Sequence, residues 1–598
     1  MGRHEEKASF DAAGAAAVGE RPRDSVCIAI LGSGGAGALT TGGLLLEAAA
    51  RRGLYGMMTR SVGPQIRGGE AAAFVRLATR PVACMADRFD AVIAIDWRRA
   101  DRFADELALD AESLLIGDPG KPGDAAAAPV PESLARSGAR VVDIAFADLA
   151  AAVPGGRENM VALGLAAGLV GIAAEELDGL IAKRLGAKGT AAVEASRAGC
   201  AQGLAAAAVL PVRFPLPRPE AEPGPRWRIT GNQAAGLGAV QGGVRFAAAY
   251  PITPATEVLE WLAPALRRLG GTLVQAEDEL ASINMIIGAS FGGVPALTAT
   301  SGPGLALMVE SLGLAVASEV PIVVVDVMRG GPSTGIPTKS EQSDLNIAVM
   351  GCHGDAPHVV VAPLSVGDCR LTTQWAVHLA ETLQTVAVVL SDQFLGQSQA
   401  VIAPPEPEDF GTRRKVLPRT VEGYRRYELV GDSISPMALP GITGGQYTAD
   451  GLTHGENALP SSRASDHRAQ LDKRAAKLVQ ADYGAHWAEI EGEGDIAILC
   501  WGSLAGAARE AAERLAEAGA PVRLVALRLL APLRTEALVE ALGHRRVLVV
   551  EQSHSGQFLN YLRGSGALTG ETRSLRRPGP LPIRPGEIAA AVQEWRRS

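Results

Sequence analysis

Short β-branched runs recur along this chain, each set between Gly- and Ala-rich stretches of helical period, and this recurrence restricts the fold more than any other feature. Ile322-Val323-Val324-Val325 and Val386 to Leu390 belong to one such region. Val26 to Leu31 opens an earlier one, and Ile496 to Cys500, Val522 to Val525 and Val547 to Val550 mark a later one. Runs this short and this apolar suit strands buried on both faces, so the expected fold class is α/β, built from parallel sheets covered by helices. At 598 residues, one hydrophobic core would be too small.

Two stretches break the rhythm. Pro211 to Pro225 carries six prolines, a density that excludes helix and sheet interiors and stiffens a strap between domains. Residues 401–493 are rich in Pro, Gly, Ser and charge, and read as an extended linker or arm. The expected order is a tail over 1–24, a first domain over 25–210 and a Pro-rich linker over 211–228. A second domain follows over 229–400, then the arm over 401–493 and a third domain over 494–598.

Composition removes several function classes. A formal net charge of -8 gives no footprint for nucleic acid or an anionic membrane. The six cysteines form no C-x-x-C pair and no His/Cys set with metal spacing, so this chain by itself is expected to bind neither a metal nor an iron–sulfur cluster. The apolar stretch from Leu305 to Val327 is interrupted by Glu310 and Glu319 and reads as a helix followed by a buried strand rather than a membrane span. A cytoplasmic protein is expected.

Gly32-Ser33-Gly34-Gly35-Ala36-Gly37 lies between a strand and a helix, where glycines let backbone N–H groups approach a phosphate. The acid that would hold an NAD ribose is missing around Tyr55 to Arg60, so NAD is disfavoured. A phosphorylated ribose and plain strand–helix packing both remain open. Arg67-Gly68-Gly69-Glu70 adds a cation beside exposed backbone.

The central region carries four more motifs. In Tyr250-Pro251-Ile252-Thr253-Pro254, Thr253 reads either as the cap of a helix or as a hydroxyl aimed by a stiff loop. Glu277-Asp278-Glu279 precedes a nearly all-apolar helix, which should be buried with its acidic end at an interface or cleft. Thr300-Ser301-Gly302-Pro303-Gly304 follows. Arg329-Gly330-Gly331-Pro332-Ser333-Thr334-Gly335 then comes directly after a buried run, which puts Arg329 at the C-terminal end of a parallel strand. Ligands bind at that edge, and a planar guanidinium suits a carboxylate; a structural salt bridge is the other reading.

Taken in order, and with Pro337-Thr338-Lys339 and Glu341 to Leu345 beyond them, these motifs resemble those of the 2-oxoacid:ferredoxin oxidoreductases. The likeness is to large subunits in which a gamma-type domain precedes the alpha-type domains, and it covers most of the chain. It implies a gamma-type Rossmann-like domain, a thiamine diphosphate pyrimidine-type domain and a transketolase C-terminal-like domain. It implies conversion of a 2-oxoacid, coenzyme A and oxidised ferredoxin into acyl-CoA, carbon dioxide and reduced ferredoxin, with 2-oxoglutarate the expected substrate and succinyl-CoA the product. By position, Glu279 matches the glutamate on the aminopyrimidine ring of thiamine. Pro251, Thr300 and Ser301 fall beside the cofactor, and Arg329, Thr253, Ser333 and Thr334 beside the substrate. Gly32, Gly34, Gly35 and Arg67 would serve coenzyme A. No G-D-G motif followed by N-N is found. The resemblance therefore assigns the diphosphate, Mg²⁺ and a [4Fe–4S] cluster to a beta subunit, with ferredoxin as acceptor and a dimer of alpha–beta heterodimers as the assembly. Pyruvate or a branched-chain 2-oxoacid, a non-redox thiamine diphosphate transferase and a non-catalytic nucleotide- or CoA-binding module are the alternatives.

Overall fold

The structure, a computed structural model, describes residues 19–20, 23–63, 69–120, 128–219 and 224–598. They form two compact units, one from residues up to 81 with 88–226, the other from 82–87 with 227–598.

The first unit is built on six strands in the order Arg140–Asp143, Leu114–Gly117, Ala91–Ala94, Ser25–Gly32, Ala71–Ala78, Tyr55–Val62. The first four run parallel, whereas Ala71–Ala78 is antiparallel to both of its neighbours. The sheet is therefore mixed where the sequence suggests a wholly parallel one. The reason is local: the link from Val62 to Ala71 is too short for a crossover, so those strands turn back as a hairpin.

The second unit holds two sheets. The larger runs Thr272–Gln275, Phe246–Ala249, Ala296–Thr300, Ile322–Met328, Val386–Asp392, Val359–Val361, Leu529–Ala531. Its first six strands are parallel, and the last, supplied from far along the chain, is antiparallel to Val359–Val361. The smaller runs Ala488–Glu491, Arg523–Leu527, Ile496–Trp501, Arg546–Glu551, Thr572–Arg576. One apolar core continues from Val324, Val360 and Val388 of the larger sheet to Leu499, Trp501 and Val525 of the smaller. Residues 82–87 belong here too. Cys84 Sγ lies 3.2 Å from the Glu510 carboxylate, and Asp87 accepts from the Gly586 N–H at 2.7 Å.

The 401–493 segment lies along its own unit. Gln374 and Arg370 donate to the carbonyls of Glu408 and Glu406, and Arg414 pairs with Glu381 at 2.7 Å. It also contains a helix, Ala464–Gln480, that hydrophobic periodicity does not reveal. Its buried residues include Gln470, Lys473, Arg474 and Lys477, whose charged heads meet partners inside the unit. Both Lys473 and Lys477 donate to Glu319, at 2.7 and 3.2 Å. His454 is a packing residue, stacked on Tyr427 at 3.6 Å between ring centroids. Among the described residues, no helix is long and apolar enough to cross a membrane. All six cysteines are free.

Candidate functional site

Four parallel strands of the larger sheet end side by side, and the residues singled out above follow directly from those ends. Phe246–Ala249 leads to Pro251 and Thr253, and Thr272–Gln275 leads to the acidic triplet. Ala296–Thr300 ends in Thr300 and Ser301, and Ile322–Met328 ends before Arg329. In an open α/β sheet this edge is the binding edge.

The three acids of the triplet have different tasks. Glu277 is exposed. Asp278 caps the helix Glu279–Phe291 by accepting from the Ala281 N–H at 2.7 Å. Glu279 turns inward and keeps 7% of its surface exposed. Gly304 makes room for it, since a Cβ there would stand 2.1 Å from Thr300 Oγ1 and 2.8 Å from Glu279 Oε1. A carboxyl, a hydroxyl and bare backbone thus share one cradle. The Ser301 hydroxyl, next in the chain, is fully buried and has no hydrogen-bond partner among the described residues. Buried hydroxyls seldom stay unpaired, and a polar ring is the kind of guest that satisfies one. The residues present fit such a guest.

The helix itself departs from expectation. Leu280 and Met285 are 50% and 41% exposed, as is Leu307 at 51% on the adjacent helix Gly302–Ala317. A Cβ on Gly288 or Gly313 would meet nothing within 4 Å. Apolar composition signals burial but not against what, and this face is left uncovered by the described residues.

Thr253 is not a helix cap. The helix begins at Thr256, its cap is Ala255, and Thr253 instead offers its carbonyl oxygen to Arg329 Nη1 at 2.6 Å. Arg329 is 6% exposed, and no carboxylate lies within ion-pair distance of it among the described residues. Burial lowers its pKa, against the opposing pull of Asp344 and Asp326. A buried guanidinium lacking a close counter-ion leaves donors for an incoming anion.

Arg329 lines a cavity of about 760 Å³ with Pro303, Ser333, Ser343, Asp344 and His554. Ser333 reaches it from the exposed turn Gly331–Ile336, while Thr334 of the same turn does not line it. The loop behind this turn is clasped by the C-terminal sheet through residues that sequence reading passes over. Gln342 donates to Trp501 O at 2.8 Å and accepts from the Gln552 N–H at 2.8 Å. Gln557 donates to Ser343 O at 2.9 Å and accepts from the Asn346 N–H at 3.0 Å. Glutamines far apart in sequence carry no local signal of such pairing.

In the first unit, Gly35 and Gly37 have φ of 91° and 90° and lead into the helix Ala38–Arg51. With Thr40, Asn159 and Lys188 they line a cavity of about 1130 Å³. Gly34 is exposed and Gly32 buried. The loop's first donor is already engaged, since the Ser33 N–H and hydroxyl both donate to Asp96, at 3.0 and 2.8 Å. Arg67 lies outside the described residues. No His/Cys/Asp/Glu group that could hold a metal occurs among the described residues.

The family described as pyruvate flavodoxin/ferredoxin oxidoreductase, thiamine diP-bdg, matches residues 237–473. Pyruvate ferredoxin/flavodoxin oxidoreductase matches 27–206, and the transketolase C-terminal domain matches 485–558. The chain is 36% identical over 329 residues to 2-oxoglutarate synthase subunit KorA of Archaeoglobus fulgidus, covering 55% of this chain and 88% of that one. It is 34% identical over 351 residues to a 2-oxoacid:ferredoxin oxidoreductase subunit alpha of Saccharolobus solfataricus, covering 55% of each. A solved 2-oxoglutarate:ferredoxin oxidoreductase from Magnetococcus marinus, with 2-oxoglutarate, coenzyme A and succinyl-CoA bound, superposes with a TM-score of 0.87. That match has 36% identity and covers 96% of this chain and 99% of the other.

Proposed function

The chain belongs to the 2-oxoacid:ferredoxin oxidoreductases, and from that premise we propose that it is the large subunit of an enzyme converting 2-oxoglutarate and coenzyme A to succinyl-CoA and carbon dioxide. Electrons pass to ferredoxin. The observation that carries this reading is the meeting of Glu279, Thr300, Thr253 and Arg329 at one sheet edge, beside a cavity that Arg329 lines.

Thiamine diphosphate, when bound, supplies an electron sink for the carbon left by decarboxylation. The chain's own residues bind, orient and move protons around it. Glu279 would hold the aminopyrimidine ring at N1′ and would supply and take up a proton there, in a cradle that Gly304 keeps open. Thr300, Ser301 and Pro251 flank the ring. Arg329 anchors a substrate carboxylate, Thr253 orients that guanidinium through its carbonyl, and Ser333 contributes a hydroxyl from the cavity rim. Thr334, outside the cavity, would act only if its turn closed over the substrate. Coenzyme A is assigned to the 1130 Å³ cavity of the gamma-type unit, where Gly35, the helix N-terminus and Lys188 suit phosphates. Asp96 occupies the Ser33 N–H between Gly32 and Gly34, and those two glycines and Arg67 join by sequence alone.

A beta subunit holds the diphosphate, Mg²⁺ and a [4Fe–4S] cluster, and the complex is a dimer of alpha–beta heterodimers. The uncovered apolar stripe of Leu280, Met285 and Leu307 supports a partner at this edge. Free thiols throughout support a cytoplasmic setting.

The test is to co-purify the chain with its beta partner and measure low-potential dye reduction with a panel of 2-oxoacids, with and without coenzyme A. CoA-dependent reduction fastest with 2-oxoglutarate is expected, and preference for pyruvate would overturn the substrate. Glu279→Gln should assemble normally and lose at least about 100-fold in turnover, a general acid–base contribution. Rates like those of the unsubstituted enzyme would remove Glu279 from the mechanism.

A further inference from the structure

Behind Arg329 stand two acids that the proposed reaction does not use. The strand Ile322–Met328 is buried along its whole length and is apolar except for Asp326. Asp326 is fully buried, and neither of its carboxyl oxygens has a donor among the described residues. Asp326 lies beside Thr300 in the sheet, and Asp344, at the far end of the Arg329 loop, packs against Gly302 just beyond that strand, which makes it the nearest charge to act on Asp326. One Asp344 oxygen lies 2.9 Å from the Ser343 hydroxyl, whose single proton is shared with the Arg329 carbonyl at 2.8 Å, and the other is buried without a donor among the described residues. Asp344 also sits at the N-terminus of the helix Gly302–Ala317, where a Cβ on Gly302 would lie 2.7 Å from each of its oxygens.

Two ionised carboxylates do not share this place, because Asp326 is cut off from water, one Asp344 oxygen is buried beside the cavity, and the two charges repel. Burial and then the charge of Asp344 raise Asp326 well above the usual carboxylate range, and burial raises Asp344. A single proton held between them removes the conflict. It belongs on Asp326, which has no donor among the described residues, and its O–H donates to Asp344, which has a helix N-terminus and a share of the Ser343 hydroxyl to favour charge. The other charged or titratable groups facing the pair are Arg329, Glu341 and His554.

We propose that Asp326 and Asp344 form an acid pair bridged by one proton, and that they are positioning residues which set how firmly Arg329 holds an anionic substrate. This deepens the reading of Arg329 as carboxylate anchor and rests on it. With the proton in place, the guanidinium has one negative neighbour and keeps attraction for a substrate carboxylate. When the proton leaves, two negative charges outweigh it and the substrate is repelled.

The test uses the complete complex with its beta subunit. The KM for 2-oxoglutarate should climb on the alkaline side, by up to about tenfold per pH unit once the pair titrates, while kcat changes little. Asp326→Asn retains a donor to Asp344 but cannot ionise, and should flatten that limb. Infrared difference spectra should show a protonated-carboxyl band at neutral pH that disappears at alkaline pH and is absent from the variant. Absence of that band from the unsubstituted complex overturns the pair. An alkaline KM limb that persists unchanged in Asp326→Asn overturns its link to substrate. Should the variant fail to assemble, the unsubstituted complex still decides, because a KM flat with pH also overturns the proposal. An unchanged oxoacid KM in Arg329→Ala would instead defeat the anchor reading itself.

Discussion

Glu319 and Asp326 are both fully buried acids facing cations in the same unit, yet their surroundings differ at every oxygen. Each carboxylate oxygen of Glu319 accepts from a lysine, Lys473 at 2.7 Å and Lys477 at 3.2 Å. Those lysines are bonded further, to Ser435 Oγ and Gln384 O, both at 2.8 Å. Burial alone would raise Glu319, but Lys477, Lys473 and Arg426 outweigh it and hold the carboxyl far below its ordinary range. Burial draws Lys477 down to about 8. Asp326 has none of this provision, and it rises instead of falling. Equal burial thus conceals opposite purposes. The closed cluster fastens the helix Ala464–Gln480 to the sheet, and the open one borders a cavity where an anion belongs.

The largest expected effect strikes the closed cluster. Glu319→Gln leaves Lys473 and Lys477 buried without their carboxylate and should cost about 3–5 kcal/mol of stability, read by urea denaturation. A loss below about 1 kcal/mol would erase the distinction between the clusters. Next comes Arg329→Ala, which should raise the KM for the 2-oxoacid about 10–100-fold, with a smaller change for coenzyme A, as expected for a lost charge-assisted contact. Equal effects on both substrates would mean that Arg329 supports the fold and not the anchor.

The smallest effect is in the pH dependence of stability, where the clusters should have opposite signs. Glu319 is depressed, so its contribution is complete above the ordinary glutamate value of about 4 and declines as the pH falls below it. Asp326 is raised, so its contribution is complete below the ordinary aspartate value and declines as the pH climbs from there through the raised one. Glu319→Gln should flatten the acid limb and Asp326→Asn the opposite limb in urea titrations across pH. One shared profile for both variants would break the comparison.

The same contrast explains what the sequence could reveal. The run Ile322 to Val327 declares a buried strand, and Arg329 inherits its place at the binding edge from that run. Glu279 stands out through the triplet and its apolar helix, and the structure turns it into the cradle formed with Thr300 and Gly304. Asp326 was readable too, as a lone acid inside a β-branched run, a pattern that buried strands reserve for a purpose. The helix Ala464–Gln480 was not, because cations fill its buried positions and the periodicity of apolar residues cannot register them. Nor was the glutamine clasp, since Gln342 and Gln552 stand 210 residues apart and leave no local pattern. The hairpin of Tyr55–Val62 and Ala71–Ala78 was concealed by strands whose composition is the same in either direction.

Leu529–Ala531 closes the larger sheet, and that gives the chain's synthesis a particular order of risk. Val359–Val361 is finished on the ribosome long before its outer neighbour exists, so a row of peptide groups and an apolar flank stay open until residue 531 emerges and docks. A nascent chain stalled in that interval would display a ready template for pairing with another copy, and chaperone attention should concentrate there.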